Sequence, residues 1–358
     1  MSDRNTSATV AGAPPPDEQN RVEVAAEQAG HTSSESTLVR VMSSPAGRNA
    51  GLVIALVILI IVGLVTAGDR FASTNNLLTI LRLASVIGVV SIGMTFVIIG
   101  GGIDLSVGAI VALASVWATT LATQTMAADT HWSVMVFVAL AVGAGCGLVN
   151  GLLIAYGRIA PFIATLAMLA AARGLAEIIA QRRTQVVSVR EYIDFFGARV
   201  VGVPVLVIIF ALVSIAGWVL LNRTTFGRRT LAVGGNIEAA RLAGINVRRH
   251  TALLYVLLGV ACGIAAAMLI ARVGAGQSTN GQLYELDAIA AVVIGGTLLS
   301  GGRGTIVGTV LGVLIFTTLT NVFTLNNLDS SNQNVAKGLI IVAAVLLQQR
   351  VTGKNTAP

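Results

Sequence analysis

The chain has few charged residues, few aromatic residues and only two cysteines. Charged residues make up 11% of its 358 residues and aromatic residues 5%, whereas apolar residues make up 55%. Soluble domains carry about 25% charged residues, so a soluble globular protein is excluded because its surface could not be covered. Cys146 and Cys262 both lie in long apolar stretches, which excludes a disulfide framework. The composition, with a mean hydropathy of +0.83, indicates an integral membrane protein.

The sequence also lacks the motifs that bind ATP, metals or nucleic acids. No Gly-x-x-x-x-Gly-Lys-Ser/Thr sequence occurs, so we expect no ATP hydrolysis by this chain. His31, His131 and His250 are isolated from one another, so neither a metal site nor a catalytic histidine is indicated. The net charge of +7 comes mostly from short basic clusters between apolar runs, which is typical of membrane loops. We therefore expect a non-enzyme that binds no cofactor directly and no nucleic acid.

Ten apolar runs follow one another along the chain. The hydrocarbon core of a bilayer is ~30 Å thick and takes about 20 helical residues to cross. The runs lie near residues 51–67, 81–100, 103–123, 133–156, 161–180, 200–221, 251–272, 286–300, 305–324 and 335–349. They predict an all-α polytopic membrane protein of about ten spans, with a transmembrane domain over 51–350. Because the glycines at 100–102 leave no room for a loop, we expect a broken or re-entrant helix there.

The segment before the first run has a different composition. Residues 1–50 carry six acidic residues, four arginines and three consecutive prolines, Pro14–Pro16. Such a segment cannot bury a core, so we expect a disordered tail. The first apolar run begins only at Gly51, so we expect it to remain as a membrane anchor and not to be cleaved as a signal peptide.

Basic residues are distributed unevenly between the two predicted sides of the membrane. With the N-terminus inside, the inner connections hold Arg158, Arg223, Arg228, Arg229, Arg241, Arg248, Arg249, Arg303, Arg350 and Lys354. The opposite loops at 124–132, 274–284 and 325–333 contain no Lys or Arg. This asymmetry predicts that the connection at 222–250 and both termini, including a short tail at 351–358, are cytoplasmic. The loop at 181–199 does not fit this asymmetry, because it is predicted on the outer side of the membrane and yet carries four arginines.

Two apolar runs begin with a similar dipeptide, which suggests an internal repeat. Ile103-Asp104 lies at the start of the third run and Leu286-Asp287 at the start of the eighth. A shift of five spans reverses the direction of the chain in the membrane, as in transporters built from inverted repeats. The sequence thus suggests a 5+5 inverted repeat, which two dipeptides alone leave open.

Several intramembrane residues have both a functional and a structural interpretation. A carboxylate inside a membrane is costly unless it is paired or lines water, which favours a functional Asp104. Alternatively, Asp104 caps the next helix through its free backbone amides, a role that Ser106 could share. We expect Arg173 and Glu177, spaced i, i+4, to neutralise each other. The small faces formed by Gly143, Gly145, Gly147 and Gly151 predict close packing of another helix.

The sequence Gly234-Gly235-Asn236-Ile237-Glu238-Ala239-Ala240-Arg241-Leu242-Ala243-Gly244 predicts a short helix in the connection at 222–250. Asn236 is suited to cap its N-terminus, Glu238 complements the positive end of the helix dipole, and Gly244 is suited to end it. The helix is either a surface turn or an element that transmits force between spans.

Several motifs together resemble one protein family. Glu238-Ala239-Ala240 followed by Gly244 resembles the EAA-type loop of ATP-binding-cassette importer permeases. The remaining chain, over about 50–350, resembles their ribose/xylose-type sugar permeases through Gly102-Ile103-Asp104-Leu105-Ser106-Val107-Gly108, Asn150-Gly151, Phe162-Ile163-Ala164-Thr165-Leu166, Arg173-Gly174, the stretch from Tyr284 to Thr297, and Gly301-Gly302-Arg303-Gly304. The resemblance does not extend to Gln181-Arg182-Arg183-Thr184, where the family usually has a short Thr-x-Gly stretch.

The resemblance implies a permease subunit in a bacterial inner membrane. It would translocate a monosaccharide or related polyol delivered by an extracytoplasmic binding protein, driven by a separate cytoplasmic ATPase that holds ATP-Mg. A second permease subunit is implied, with a homodimer expected. The ATPase-coupling residues implied are Asn236, Glu238, Ala239, Ala240 and Gly244. Those implied for the translocation path or its gates are Gly101, Gly102, Asp104, Ser106, Asn150, Thr165, Asp287, Gly295 and Gly296.

Other functions stay open at this point. A branched-chain amino-acid or nucleoside importer permease is related to the favoured family. A standalone cation-coupled carrier is suggested by Asp104 and Asp287 at possible helix breaks. An intramembrane enzyme would need a polar constellation inside the spans, and the sequence shows no convincing one.

Overall fold

A computed structural model of the chain describes residues 45–353, so the predictions for residues 1–44 and 354–358 lie outside the described residues. The helices are α1 (Pro45–Ala67), α2 (Asp69–Ala72), α3 (Thr74–Ile99), α4 (Val107–Ala118), α5 (Leu121–Asp129), α6 (Ser133–Ala155), α7 (Pro161–Ala180), α8 (Arg190–Gly197), α9 (Val205–Arg223), α10 (Thr225–Gly235), α11 (Ile237–Leu242), α12 (Val247–Val273), α13 (Tyr284–Ile294), α14 (Ile306–Leu325) and α15 (Ser330–Gly353). Two antiparallel strand pairs join β1 (Gln185–Val186) to β4 (Ala275–Gly276), and β2 (Arg199–Val200) to β3 (Val203–Pro204).

Within residues 45–353, seven helices are long and apolar enough to cross a membrane, namely α1, α3, α6, α7, α9, α12 and α14. Helices α4 and α5 meet the same criteria only as a pair that bends by 56°. The prediction of an all-α polytopic membrane protein with broken helices is therefore confirmed.

The predicted count of about ten spans is not confirmed. The predicted span at 286–300 is α13, whose 11 residues extend only about 16 Å at 1.5 Å per residue. The predicted span at 335–349 lies in α15, which is long enough but begins with five polar residues, Ser330–Asn334, and is not among the seven. Hydropathy alone overestimated the length of α13 because it does not register the turn at Gly295 and Gly296.

The two short helices α4 and α13 meet close to their N-termini. Each follows a segment without helix, 100–106 before α4 and 274–283 before α13. A Cβ atom on Gly108, at the start of α4, would lie 2.3 Å from the carbonyl oxygen of Gly281. Two broken elements thus contact each other through bare backbone, which only glycine allows at this distance.

The suggested 5+5 repeat stays a prediction, although some helix contacts follow the pairing that it would give. Helix α12 packs against α6 and α4, and α3, five spans earlier, packs against α14 and α13. The two central helices α3 and α12 also contact each other. The dipeptides that suggested the repeat are not equivalent, however, because Asp104 precedes α4 whereas Asp287 lies in the first turn of α13.

The predicted glycine face of α6 packs against α12. Cβ atoms on Gly143, Gly147 and Gly151 would each lie within 3 Å of backbone atoms of α12, whereas one on Gly145 would meet nothing within 4 Å. Three of the four glycines therefore allow the close packing, and Gly145 faces away.

The arginine-rich loop at 181–199 lies on the same face as two of the loops that lack Lys and Arg. Gln185 pairs with Gly276 in the β1–β4 ladder, and Trp132 stacks on Phe195 of α8 with ring centroids 4.5 Å apart. Since 124–132, 181–199 and 274–284 are joined in this way, we call this side the loop face. The side that carries 222–250 is called the coupling face.

Candidate translocation and coupling site

The predicted short helix in the connection at 222–250 is present as α11. The Asn236 side chain caps it by accepting a hydrogen bond from the Ala239 backbone N–H at 3.0 Å. Glu238 lies in the first turn and accepts from Arg241 Nη1 at 3.1 Å. Gly244 has φ +79°, the left-handed conformation in which glycine commonly follows a helix end.

Two apolar side chains of helix α11 are exposed on the surface of the chain. Leu242 is 89% exposed and Ile237 is 49% exposed, whereas Ala240 is buried. Leu242 and Ile237 thus form an exposed apolar surface on α11.

Helix α10 connects α11 to the break between α3 and α4. A Cβ atom on Gly234 would lie 1.7 Å from the carbonyl oxygen of Ile99, the last residue of α3. The Ile99 oxygen also accepts a hydrogen bond from the Gly302 N–H at 2.8 Å. A displacement of α10 therefore acts directly on the end of α3 and on the turn at Gly301 and Gly302.

The predicted path residues Asp104, Ser106 and Asn150 form one buried cluster. Asp104 Oδ1 accepts from the backbone N–H of Ser106 at 2.7 Å and from its hydroxyl. Asn150 Nδ2 donates to Asp104 Oδ2 at 3.2 Å and to Ser106 Oγ at 3.0 Å. All three side chains are almost fully buried. The carboxylate thus orders the backbone just before α4 through one amide, whereas the capping role suggested for Ser106 is not seen, because its side chain makes no capping hydrogen bond.

Asp287 behaves differently from Asp104. Its Oδ1 lies 3.2 Å from Lys337 Nζ of α15, and both side chains are less than one fifth exposed. The ammonium group also lies 5.0 Å from the ring centroid of Phe316 on α14. A lysine fifty residues later therefore supplies the hydrogen bonds of Asp287.

The remaining predicted path residues are not gathered at the Asp104 cluster. The Thr165 hydroxyl donates to Pro161 O at 2.8 Å within α7. Gly295 ends α13 and packs against Gly308, while Gly296 has φ +85°. Gly101, with φ +84°, contacts the turn at Gly301. The glycine break at 100–102 precedes the cluster directly and also lines the cavity on the coupling face.

The predicted pair of Arg173 and Glu177 does not form a salt bridge. Arg173 Nη1 instead donates to the backbone oxygens of Ser278 and Asn280, and Glu177 pairs with Arg182 at 3.3 Å. The guanidinium of Arg173 therefore joins α7 to two backbone carbonyl groups of the loop at 274–283.

A cavity of about 790 Å³ opens on the coupling face beside α11. The glycines at 100–102, Leu254 and Tyr255 line it, and Arg158, Arg241 and Arg248 also contribute. Sequence reasoning missed Tyr255, Gly234 and Lys337 as site residues, and no local pattern distinguishes them. Among residues 45–353, no three side chains of the His, Cys, Asp and Glu types are grouped to hold a metal ion.

Comparison with known proteins identifies the family. Residues 76–346 match the family described as "Branched-chain amino acid transport system / permease component". The "Ribose import permease protein RbsC" of Bacillus subtilis (strain 168) is 43% identical over 282 residues, covering 78% of this chain and 86% of the relative. The protein of the same name from Escherichia coli (strain K12) is 40% identical over 301 residues, covering 83% and 92%. The "Fructose import permease protein FrcC" of Rhizobium meliloti is 38% identical over 319 residues, covering 86% of each chain.

No solved structure matches this chain. The family match covers more than half of the chain, and the relatives exceed 30% identity over most of their length. The chain therefore belongs to the multi-pass membrane permease family described as branched-chain amino acid transport system / permease component, and within it is similar to ribose import permeases.

Proposed function

We propose that this chain is the permease subunit of an ATP-binding-cassette importer for a monosaccharide or related polyol. An extracytoplasmic binding protein delivers the sugar to the loop face. A separate cytoplasmic subunit binds and hydrolyses ATP-Mg while docked on the coupling face, and this chain performs no hydrolysis itself.

The observation that carries the proposal is the chain of contacts from α11 to the buried cluster. Leu242 and Ile237 are available for a partner, and α10 follows any movement of α11 because Asn236 is shared by both helix ends. Gly234 packs against the backbone of Ile99. Ile99 lies three residues before Gly102 and five before Asp104. A partner that moves α11 thus shifts the break that covers Asp104.

The sugar class is favoured over the amino-acid class by the named relatives. Those compared are ribose and fructose import permeases, whereas the family description itself names branched-chain amino acids. A neutral sugar needs no counter-charge in the path. The buried charges Asp104 and Asp287 already have partners within the protein, which also disfavours a cation-coupled carrier.

The coupling face is the cytoplasmic side in this proposal, with both termini cytoplasmic, because the arginines of 222–250 follow the positive-inside bias. Two copies of the chain form the translocation path as a closed twofold dimer. An intact-mass measurement of the purified importer is expected to give two permease chains, and a single permease chain per complex would contradict the dimer.

The test is reconstitution of the chain with its ATPase subunit and its binding protein in proteoliposomes. Uptake of labelled ribose, fructose and leucine is measured with and without ATP on the side of the ATPase. We expect ATP-dependent uptake of a sugar and none of leucine. ATP-independent sugar uptake by the chain alone would support a carrier, and leucine uptake would support the amino-acid class.

The docking assignment is tested with Glu238→Lys. The substitution reverses a charge in the first turn of α11 and removes the pair with Arg241. We expect loss of ATPase co-purification. Glu191→Lys is the matched control, since Glu191 lies in the first turn of the short helix α8 on the loop face, and it is expected to co-purify normally.

A further inference from the structure

We infer that the Tyr255 hydroxyl, in the lining of the coupling-face cavity, and Asn150 Oδ1, buried beside Asp104, form a subsite for sugar hydroxyl groups. The subsite is adjacent to Asp104 and is covered in this conformation by the glycines at 100–102. The inference rests on the proposed function, and it names groups that hydrogen-bond the sugar as it leaves.

The buried polar atoms that have no hydrogen-bond partner within the described residues include one on α12 and one on α6. These two are the Tyr255 hydroxyl and Asn150 Oδ1, in side chains that are 1% and 0% exposed. Buried polar groups in folded proteins are nearly always satisfied, so each unpartnered group needs an explanation. One is a donor and the other an acceptor, and their helices α12 and α6 pack directly on each other.

The orientation of the Asn150 amide is fixed by its neighbours. Its NH₂ group donates to the Asp104 carboxylate and to Ser106 Oγ. Exchanging the amide nitrogen and oxygen would direct an oxygen at a carboxylate, which only accepts hydrogen bonds. Asn150 Oδ1 is therefore the free acceptor, and it needs a donor from outside the cluster.

The cover over the subsite is backbone without side chains. A Cβ atom on Gly102 would lie 2.5 Å from the Tyr255 hydroxyl, and one on Gly100 would lie 2.4 Å from Leu254 Cδ1. The 790 Å³ cavity reaches this cover from the coupling face, with Tyr255 in its lining. Since Gly234 contacts Ile99, movement of α10 displaces the cover and opens the hydroxyl to the cavity.

A sugar hydroxyl group satisfies both free atoms. It accepts a hydrogen bond from the tyrosine hydroxyl and donates one to an amide oxygen. A neutral polyol suits this pair, because the negative charge of Asp104 is already held by Ser106 and Asn150. An anionic ligand would be repelled by that carboxylate.

The experiment compares Tyr255→Phe with Tyr156→Phe in the complete reconstituted importer. Tyr156 ends α6 and is 53% exposed, so its substitution also removes one hydroxyl but no buried one. We expect Tyr255→Phe to lower ribose uptake about fivefold, the worth of one hydrogen bond, at unchanged assembly. Its thermal unfolding midpoint is expected to be unchanged or raised, because the hydroxyl has no partner in this conformation.

Uptake at the level of Tyr156→Phe would overturn the inference at any unfolding midpoint, and a lower midpoint would in addition show that the hydroxyl is structural. If the wild type and Tyr156→Phe import no sugar, the proposed function fails instead. The two failures are therefore distinguishable in one set of measurements.

A double-mutant cycle with Asn150→Ala, measured both on unfolding without sugar and on sugar uptake, separates sugar binding from a direct Tyr255–Asn150 contact. If both residues bind the same sugar hydroxyl, their effects on uptake are coupled, whereas their effects on the unfolding midpoint without sugar add. If they bind each other, the coupling is already present in unfolding without sugar, and the subsite is refuted. If Asn150→Ala does not assemble, the uptake and unfolding of Tyr255→Phe decide alone.

Discussion

Removal of Lys337 leaves the carboxylate of Asp287 without its cation. The two groups are 3.2 Å apart, with side-chain exposures of 17% for Lys337 and 18% for Asp287. Breaking a buried ion pair on one side costs about 3–5 kcal/mol. Because both side chains are partly exposed, we expect Lys337→Met to lower the free energy of unfolding by about 3 kcal/mol, at the lower end of this range.

The carboxylate also has a second source of stabilisation. Asp287 lies in the first turn of α13, where the helix dipole favours negative charge by about 0.3–1 kcal/mol. The exchange Asp287→Lys with Lys337→Asp places a cation at that helix end. It is therefore expected to restore less stability than the neutral pair Asp287→Asn with Lys337→Met.

The assay is thermal unfolding of the purified permease complex in detergent. A loss of about 3 kcal/mol is expected to lower the midpoint by about 6 °C, at roughly 2 °C per kcal/mol for a large chain. Arg190→Ala is the control, because its partner Asp194 is exposed and such pairs contribute under about 1 kcal/mol. Equal losses in Lys337→Met and in the neutral double variant would show that the pair is not coupled.

Four further outcomes are expected. Gly234→Ala forces a Cβ against Ile99 O and costs about 1–3 kcal/mol, so ATP hydrolysis is expected to continue with little uptake; normal uptake would refute the contact route. Asp104→Asn is expected to retain more transport than Asp104→Leu, because the amide oxygen still accepts from the Ser106 N–H; equal and complete loss at normal expression would mean that the charge is required. An impermeant thiol reagent outside intact cells is expected to label Arg183→Cys and not Arg229→Cys; the reverse would invert the topology. Gly276 is unsuited to this labelling, since a Cβ atom there would lie 1.9 Å from Thr119 Oγ1. We expect Gly276→Cys to express less well than Gly145→Cys, because a Cβ atom on Gly145 would meet nothing within 4 Å.

The sequence alone predicted the membrane class and contacts between residues that are close together in the chain. Hydropathy over windows of about 20 residues predicted the membrane class, because the apolar side chains needed for a bilayer are contiguous in the chain. The cap of α11 by Asn236 was also predicted, and a bond from a nearby backbone amide to Asp104 was one of two interpretations of that residue. Each joins residues two or three positions apart, so backbone geometry alone brings them together.

Only the tertiary structure decided which distant residues meet. Asn150 reaches Asp104, Lys337 reaches Asp287, and Gly234 reaches Ile99 through helix packing. Spacing along a helix favoured Glu177 for Arg173, yet the carbonyl groups of the loop at 274–283 receive the guanidinium. Local spacing fixes what a side chain can reach within one turn, whereas the partner it takes depends on which helices pack together, and that packing is a property of the whole chain.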